Sequence, residues 1–277
     1  MELDLIADLL KARTGLRFDG ARRRYLTSRL SEVAAALGYT SVAEFLDVLR
    51  SEDSSSDKFQ RLVDAVVTEE SSFFRYPQHF EALRHFILPA IASNRAFGSG
   101  DRTLRILSAG CSRGQEPYSI AMTCHDEDET LQGLDVSIYA LDISAANLAY
   151  AREAVYTDLD LRDLSPVLAD RYFEPCPGPN GRGTRHRVRN GIKRLVRFQQ
   201  HNLKEELTGP LFDIIFCRNV TIYFDAEDTR AVAANLYSRL VPGGYLFLGH
   251  AESYYGILPG LTIVQFGEAL VNRKPVR

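Results

Sequence analysis

No excess of either charge runs through these 277 residues: 33 lysines and arginines against 36 acids leave a formal net charge of −3. That argues against the broad basic surface of a nucleic-acid-binding chain. Cysteine is scarce too. Cys111, Cys124, Cys176 and Cys217 form no C-x-x-C pair and stand beside no histidines at zinc-ligand spacing, so no metal site is expected. They read as small core residues of a reducing compartment, with Cys111 set apart by lying in a glycine-containing loop. No apolar run reaches the roughly 20 residues that cross a bilayer. The opening MELDLIADLLKARTG carries Glu2, Asp4 and Asp8 where a secretory signal has basic residues and an unbroken apolar stretch. A cytoplasmic protein, not inserted in a membrane, is expected. Internal repeats, G-x-G-x-x-G and the phosphate-binding G-x-x-x-x-G-K-[ST] are all missing.

What is present falls into two rhythms. Up to about residue 70, apolar residues recur at helical spacing: Leu5, Ile6, Leu9 and Leu10; Leu26, Leu30, Val33 and Leu37; Val42, Phe45, Leu46 and Leu49; Phe59, Leu62, Val63, Val66 and Val67. Gly15 and Gly38 mark helix ends, and SEDSSSD at 51–57 is a polar break. From about residue 100, the short apolar runs LRILSAG, VSIYALDIS, FDIIFCRNV and GYLFLGH alternate with helical stretches. That alternation predicts an α/β fold with a mostly parallel, doubly wound sheet. FILPAIASNRAFGSG, 86–100, reads as the connection from a helical N-terminal domain (1–85) into the α/β domain (86–277). Near 165–200, PCPGPNGRGTRHRVRNGIKRLVRF holds prolines and glycines, then alternates basic with apolar residues. It predicts an inserted loop and a small antiparallel hairpin.

Four segments carry chemistry. In LRILSAGCSRGQE, 104–116, an apolar strand runs into a turn with Gly110 and Gly114 and then into a helix, the usual place for a ligand in an open parallel sheet. Glycine there lets backbone approach a ligand closely. Asp142 closes the next strand, placed to accept hydrogen bonds from two ribose hydroxyls or, equally, to cap a helix together with Ser144. Loop and acid together point to a nucleoside ligand without a phosphate. FDIIFCRNVTIYF, 212–224, brings Arg218, Asn219 and Tyr223 to a strand end facing the same crevice. TEESSFFRYPQHF, 68–80, puts Arg75 at the domain junction, where a planar guanidinium suits a carboxylate substrate.

Taken together, SAGCSRGQEPYSIAM, YALDIS, RFQQHNL, FDIIFCRNVTIYFD and LVPGGYLFLGHAES resemble the CheR family of chemoreceptor glutamate methyltransferases, in the family's order and over nearly the whole chain. The resemblance implies a class I methyltransferase (Rossmann-like) sheet, an all-α N-terminal domain and a small β subdomain inserted near 165–200. It implies S-adenosylmethionine as cofactor, leaving as S-adenosylhomocysteine. By the same resemblance Glu116 holds the methionine amino group or neighbouring atoms, Asp142 the ribose, and Asn202 and Leu203 the adenine. Arg218 and Asn219 lie near the methionine moiety, Gly110 lines the loop, and Arg75 and Tyr223 stand beside the transferred methyl. One departure is visible. The family commonly has T-N-x-T-x-F-F-R, where this chain has Glu69 for the asparagine and Ser71 for the second threonine. Ser71 keeps the hydroxyl; an ionised Glu69 donates no hydrogen bond and is placed instead to attract a cation.

Arg13, Arg17, Arg22, Arg23, Arg24 and Arg29 form a locally basic stretch, which the resemblance turns into a dock for the acidic, helical cytoplasmic region of a chemoreceptor. Arg185, Arg187, Arg189 and Arg194 of the insert offer a second contact by strand addition. The alternatives are a catalytically weak or inactive relative that binds the cofactor or its product for regulation, and a methyltransferase acting on nucleic acid or a small molecule.

Overall fold

The structure, a computed structural model, describes residues 2–67, 70–96, 101–178, 183–254, 256–258 and 260–276. Four helices come first: α1 (Glu2–Thr14), α2 (Gly20–Ala36), α3 (Val42–Ser51) and α4 (Asp57–Val66). Their apolar stripes meet in one core built around Ile6, Leu10, Leu26, Phe45, Phe59 and Val63. Ser41 and Ser56 start α3 and α4 by accepting the N–H groups of Glu44 and Phe59.

Helix α5 (Pro77–Ala82) then runs through a π-helical turn, Leu83–Ile87, into α6 (Leu88–Ala96). The stretch from Phe86 that reads as a connection is therefore helical as far as Ala96. Leu83, Ile87 and Leu88 are fully buried and hold it against the sheet. The N–H of Leu88 reaches five residues back to Leu83, and this widened turn stands directly before Pro89, which has no N–H to give.

The α/β part follows as β1 (Thr103–Ala109), α7 (Gln115–Asp126), β2 (Asp135–Asp142), α8 (Ala145–Glu153), β3 (Val155–Tyr156), α9 (Pro166–Tyr172), β4 (Phe173–Pro177), β5 (Thr184–Val188), α10 (Asn190–Lys193), β6 (Val196–Gln200), β7 (Phe212–Cys217), α11 (Ala226–Arg239), β8 (Leu240–Leu248), β9 (Thr262–Phe266) and β10 (Ala269–Arg273). The main sheet has the order β6-β2-β1-β7-β8-β10-β9. The first five strands are parallel, and β10 runs against both its neighbours. All six residues of β7 are buried, which is why its sequence is continuously apolar. The chain builds outward from β1 to β2 and β6, then crosses to β7 and β8. The carboxyl ends of β1 and β7 therefore border the point where strand order reverses, the place where such sheets bind ligands.

β3, β5 and β4 form a separate three-stranded antiparallel sheet, paired from Phe173 with Val188 to Pro177 with Thr184. RFQQ, read as part of a hairpin, instead returns to the main sheet as β6, parallel to β2. It is an edge strand with one face toward solvent, so it carries the alternation of a hairpin strand without being one.

Candidate active site

The N–H groups of Gly110 and Cys111 both donate to Leu141 O at 2.8 Å, tying the loop after β1 to the end of β2. Gly110 has φ 78°, and a Cβ there would lie 2.4 Å from a methyl of Val220; at Gly114, with φ 91°, it would lie 2.9 Å from Ala151. These glycines thus make room for neighbouring protein. Ser112 holds a left-handed φ of 49° and gives its N–H to Asp142 Oδ2 at 2.7 Å, while Ser144 N donates to Oδ1 at 2.9 Å. Asp142 is only 7% exposed. Burial pushes its carboxyl above the usual range, and the two N–H groups partly offset this. The Asn147 side chain bonds the same carboxyl, whose roughly four lone-pair sites still leave it able to accept from a hydroxyl. Ser144 also caps α8 and donates its hydroxyl to Asp64 of α4 at 2.7 Å, so the capping role is filled beside the acid. Cys111 is buried in the core and its thiol is pushed well up by burial, which leaves it no nucleophile.

At the end of β7, Arg218 is 6% exposed and donates Nε to Glu116 Oε2 at 2.7 Å. The other oxygen of Glu116 accepts from Ser108 Oγ at 2.6 Å. The two charges therefore enter the site as a pair. Arg218 also donates to the carbonyl of Arg75 and lies 3.4 Å from His79 Nδ1. Buried His79 has its pKa brought down to about 3, first by desolvation, then by Arg218 and His250. It is neutral and meets Arg218 as an acceptor.

Arg75 stands between Phe74 and Tyr76, whose φ values of 51° and 61° are both left-handed. Such backbone in non-glycine residues costs roughly 1–3 kcal/mol each and persists where the surroundings fix it. Here Phe73 packs edge-on to Tyr156 and Phe173, Phe74 N donates to Ser119 Oγ at 2.9 Å, and the ring of Tyr76 stacks on His250 at 3.9 Å. Tyr76 OH accepts from Asn219 Nδ2 at 3.1 Å. The turn Thr221–Tyr223 carries Tyr223 under the guanidinium of Arg22, 4.4 Å from its ring centre.

Ser71, Arg75, Gly110, Glu116, Asp142, Asn202, Leu203, Arg218, Asn219 and Tyr223 all line one cleft, which spans about 880 Å³ counting its open mouth. Glu69 lies outside the described residues. The cleft also takes in residues that the sequence did not single out: Thr14 and Leu16 of the helical domain, Glu70, Ser112, Ile143, His201, Val220 and Phe224. Ser112 and His201 had a signal, each lying inside a quoted motif. Thr14 and Leu16 had none. Asn202 uses its amide on protein, donating to Arg13 O at 2.7 Å and accepting from Lys204 N at 3.1 Å.

Residues 69–259 match the "CheR methyltransferase, SAM binding domain" and residues 1–67 the "CheR methyltransferase, all-alpha domain". The chain belongs to the CheR methyltransferase family. A chemotaxis protein methyltransferase of Vibrio parahaemolyticus is 38% identical over 271 residues, covering 95% of this chain and 93% of the relative. Chemotaxis protein methyltransferase 1 of Pseudomonas aeruginosa is 35% identical, covering 92% and 91%. The Escherichia coli relative is 34% identical, covering 90% and 83%.

The cofactor of this CheR methyltransferase is S-adenosylmethionine, and the cleft suits it. Ser112 Oγ, His201 Nε2 and Asn219 Oδ1 are buried with no protein partner among the described residues, and all three residues line the cleft. An unpaired buried polar atom costs about 1–3 kcal/mol, so three in one cleft call for a ligand with several polar groups.

The basic stretch of the helical domain is mostly spent within the protein. Arg13 donates to Glu52 O, Arg17 pairs with Asp19, Arg23 with Asp4 and Arg29 with Glu32. Arg22 is half-buried between the rings of Phe18 and Tyr223. Arg24 is exposed, and among the described residues its head group has no protein partner. Across the domain boundary, Lys11 pairs with Asp225 at 2.8 Å, and Lys204, paired with Asp228 of its own domain, donates to Ala12 O at 3.1 Å. Among the described residues no helix is long and apolar enough to cross a membrane.

Proposed function

We propose that this methyltransferase esterifies glutamate side chains on the cytoplasmic helical region of chemoreceptors, and that it works in the cytoplasm. The observation that carries the reading is Arg75: a guanidinium held between two left-handed residues, Phe74 and Tyr76, and lining the same cleft as Asp142 and Tyr223. The names of the relatives, all chemotaxis protein methyltransferases, support it.

Bound in the cleft, S-adenosylmethionine supplies a methyl group on a sulfonium cation. Asp142 receives the ribose hydroxyls, Leu203 and Asn202 flank the adenine, and Arg218, Glu116 and Asn219 surround the methionine end. Ser71 adds a hydroxyl at the mouth. Arg75 orients the substrate carboxylate, which is already ionised because a free glutamate has a pKa near ~4.3. The site therefore needs no general base, and neutral His79, turned toward Arg218, is not one. Its task is alignment at ~3–3.5 Å, which supplies ~7–11 kcal/mol of a barrier of this kind. The apolar walls of Leu16, Val220 and Phe224 keep water out, and neutralising two opposite charges is easier there. Arg75 is half-exposed, which suits a group whose ion pair weakens as the carboxylate becomes a neutral ester.

Helix α2, through Arg24, and the basic hairpin are the proposed docks. β3 pairs with β5 only at His186 and Arg187, which leaves Thr184 and Arg185 unpaired on that edge among the described residues. The test is transfer of radioactive methyl from S-adenosylmethionine to a purified receptor fragment, followed by mild base. Label released as methanol supports an ester. Base-stable label contradicts the glutamate reading, and absence of label despite cofactor binding supports a regulatory relative.

A further inference from the structure

Glu252 follows β8 in the segment GHAES and is not among the residues that line the cleft. Its carboxylate nevertheless gathers five donors. Oε1 accepts from Val220 N at 2.9 Å, Thr221 N at 2.7 Å and Thr221 Oγ1 at 2.8 Å. Oε2 accepts from Asn219 N at 2.6 Å and Gly249 N at 2.8 Å. Three successive N–H groups of the loop after β7 thus converge on one anion, as they do in backbone nests. That loop contains Asn219, held at a left-handed φ of 60°, and leads straight into the turn that ends at Tyr223.

Gly249 is what permits the approach. A Cβ there would lie 2.7 Å from Glu252 Oε2 and 2.9 Å from Asn219 N. The consequence for Asn219 is specific. Its N–H is fixed by Glu252 and its Nδ2 is given to Tyr76 OH, so the side-chain Oδ1 is left buried without a partner among the described residues.

We propose that Glu252 is the positioning residue of this methyltransferase. From behind the cleft wall it folds the Arg218–Tyr223 loop so that Asn219 Oδ1 accepts an N–H of the cofactor's methionine ammonium and Tyr223 is seated beside the methyl. This rests on the reading that the methionine end lies against Asn219. The carboxylate is never a reactant. Its charge is consumed by backbone donors, and a glutamine, whose amide nitrogen would face those same donors, cannot replace it.

The test is calorimetric titration of the full chain with S-adenosylhomocysteine, together with thermal unfolding. Glu252→Gln and Asn219→Ala are each expected to weaken binding at least tenfold with the chain folded. Their combination should bind within about threefold of the weaker single variant, because both remove the same contact. Gly249→Ala, which displaces the carboxylate without touching its charge, reproduces the loss and carries the test if Glu252→Gln fails to fold. Binding by Glu252→Gln within twofold of wild type overturns the proposal, and so do losses that multiply in the double variant, which would mark Glu252 as a general structural support. Full-strength binding by Asn219→Ala contradicts instead the placement of the methionine end, and the proposal falls with it.

Discussion

Arg75 and Tyr223 reach the cleft from different segments, one between two left-handed residues before α5, the other on a short turn after β7. Neither belongs to the cluster around Asp142, so replacing them should spare the cofactor. Arg75→Ala and Tyr223→Phe are expected to lower kcat by about a hundredfold, the usual cost of roughly 1 Å of misalignment, and to leave S-adenosylhomocysteine affinity within threefold. Steady-state kinetics beside calorimetry checks the split. His79 makes a stability prediction. Its folded pKa of about 3 lies below the unfolded value, so only the unfolded chain takes up its proton as pH falls below about 6.5. The stability from neutral His79 is present above that pH and is lost toward pH 3, with a slope approaching about 1.4 kcal/mol per pH unit. Urea unfolding of wild type and His79→Gln between pH 4 and 7 should show the steeper loss in wild type. Parallel slopes would contradict the assignment. Individual site residues were legible because each sits at a strand end or beside an aromatic pair. The state of Glu116 was not, since its partner Arg218 lies 102 residues away and periodicity is silent on such pairings.

Helix α2 shows how an element can serve two masters. Its arginines read from sequence as one basic face, but Arg22 turns inward to stack on Tyr223 while Arg24 faces out. Arg22→Ala should therefore lower kcat itself, severalfold for a contact worth ~0.5–2 kcal/mol. Arg24→Glu should slow association with a receptor fragment and leave cofactor binding as it was. Equal behaviour of the two variants in both assays would contradict this division. Elsewhere the element pattern was readable where burial was complete, as in β7, and misleading where proline or an edge position altered it. Pro89 and the glycines after it made α6 look like a linker, although three fully buried residues anchor the helix just before it. β6 passed for a hairpin strand because one of its faces is wet.

At the scale of the whole molecule, the cofactor cleft belongs to both domains. Thr14 and Leu16 close one side of it, Asn202 binds the end of α1, and Gly15 leaves room for Phe224, whose ring would lie 3.1 Å from a Cβ. Two helical and α/β halves were plain in the sequence, yet their joint ownership of the site was not. An amphipathic stripe reports that a face is buried and says nothing of what buries it. The central claim is that one cleft at the carboxyl ends of β1, β2 and β7 holds the methyl donor through Asp142. The direct measurement is calorimetric titration of S-adenosylhomocysteine into the full chain and into Asp142→Ala. The account predicts one site per chain, weakened by about 10- to 150-fold in the variant, the worth of hydrogen bonds to a buried charge at ~1.5–3 kcal/mol. Absence of heat from the wild type, or equal affinity in the two proteins, would contradict it.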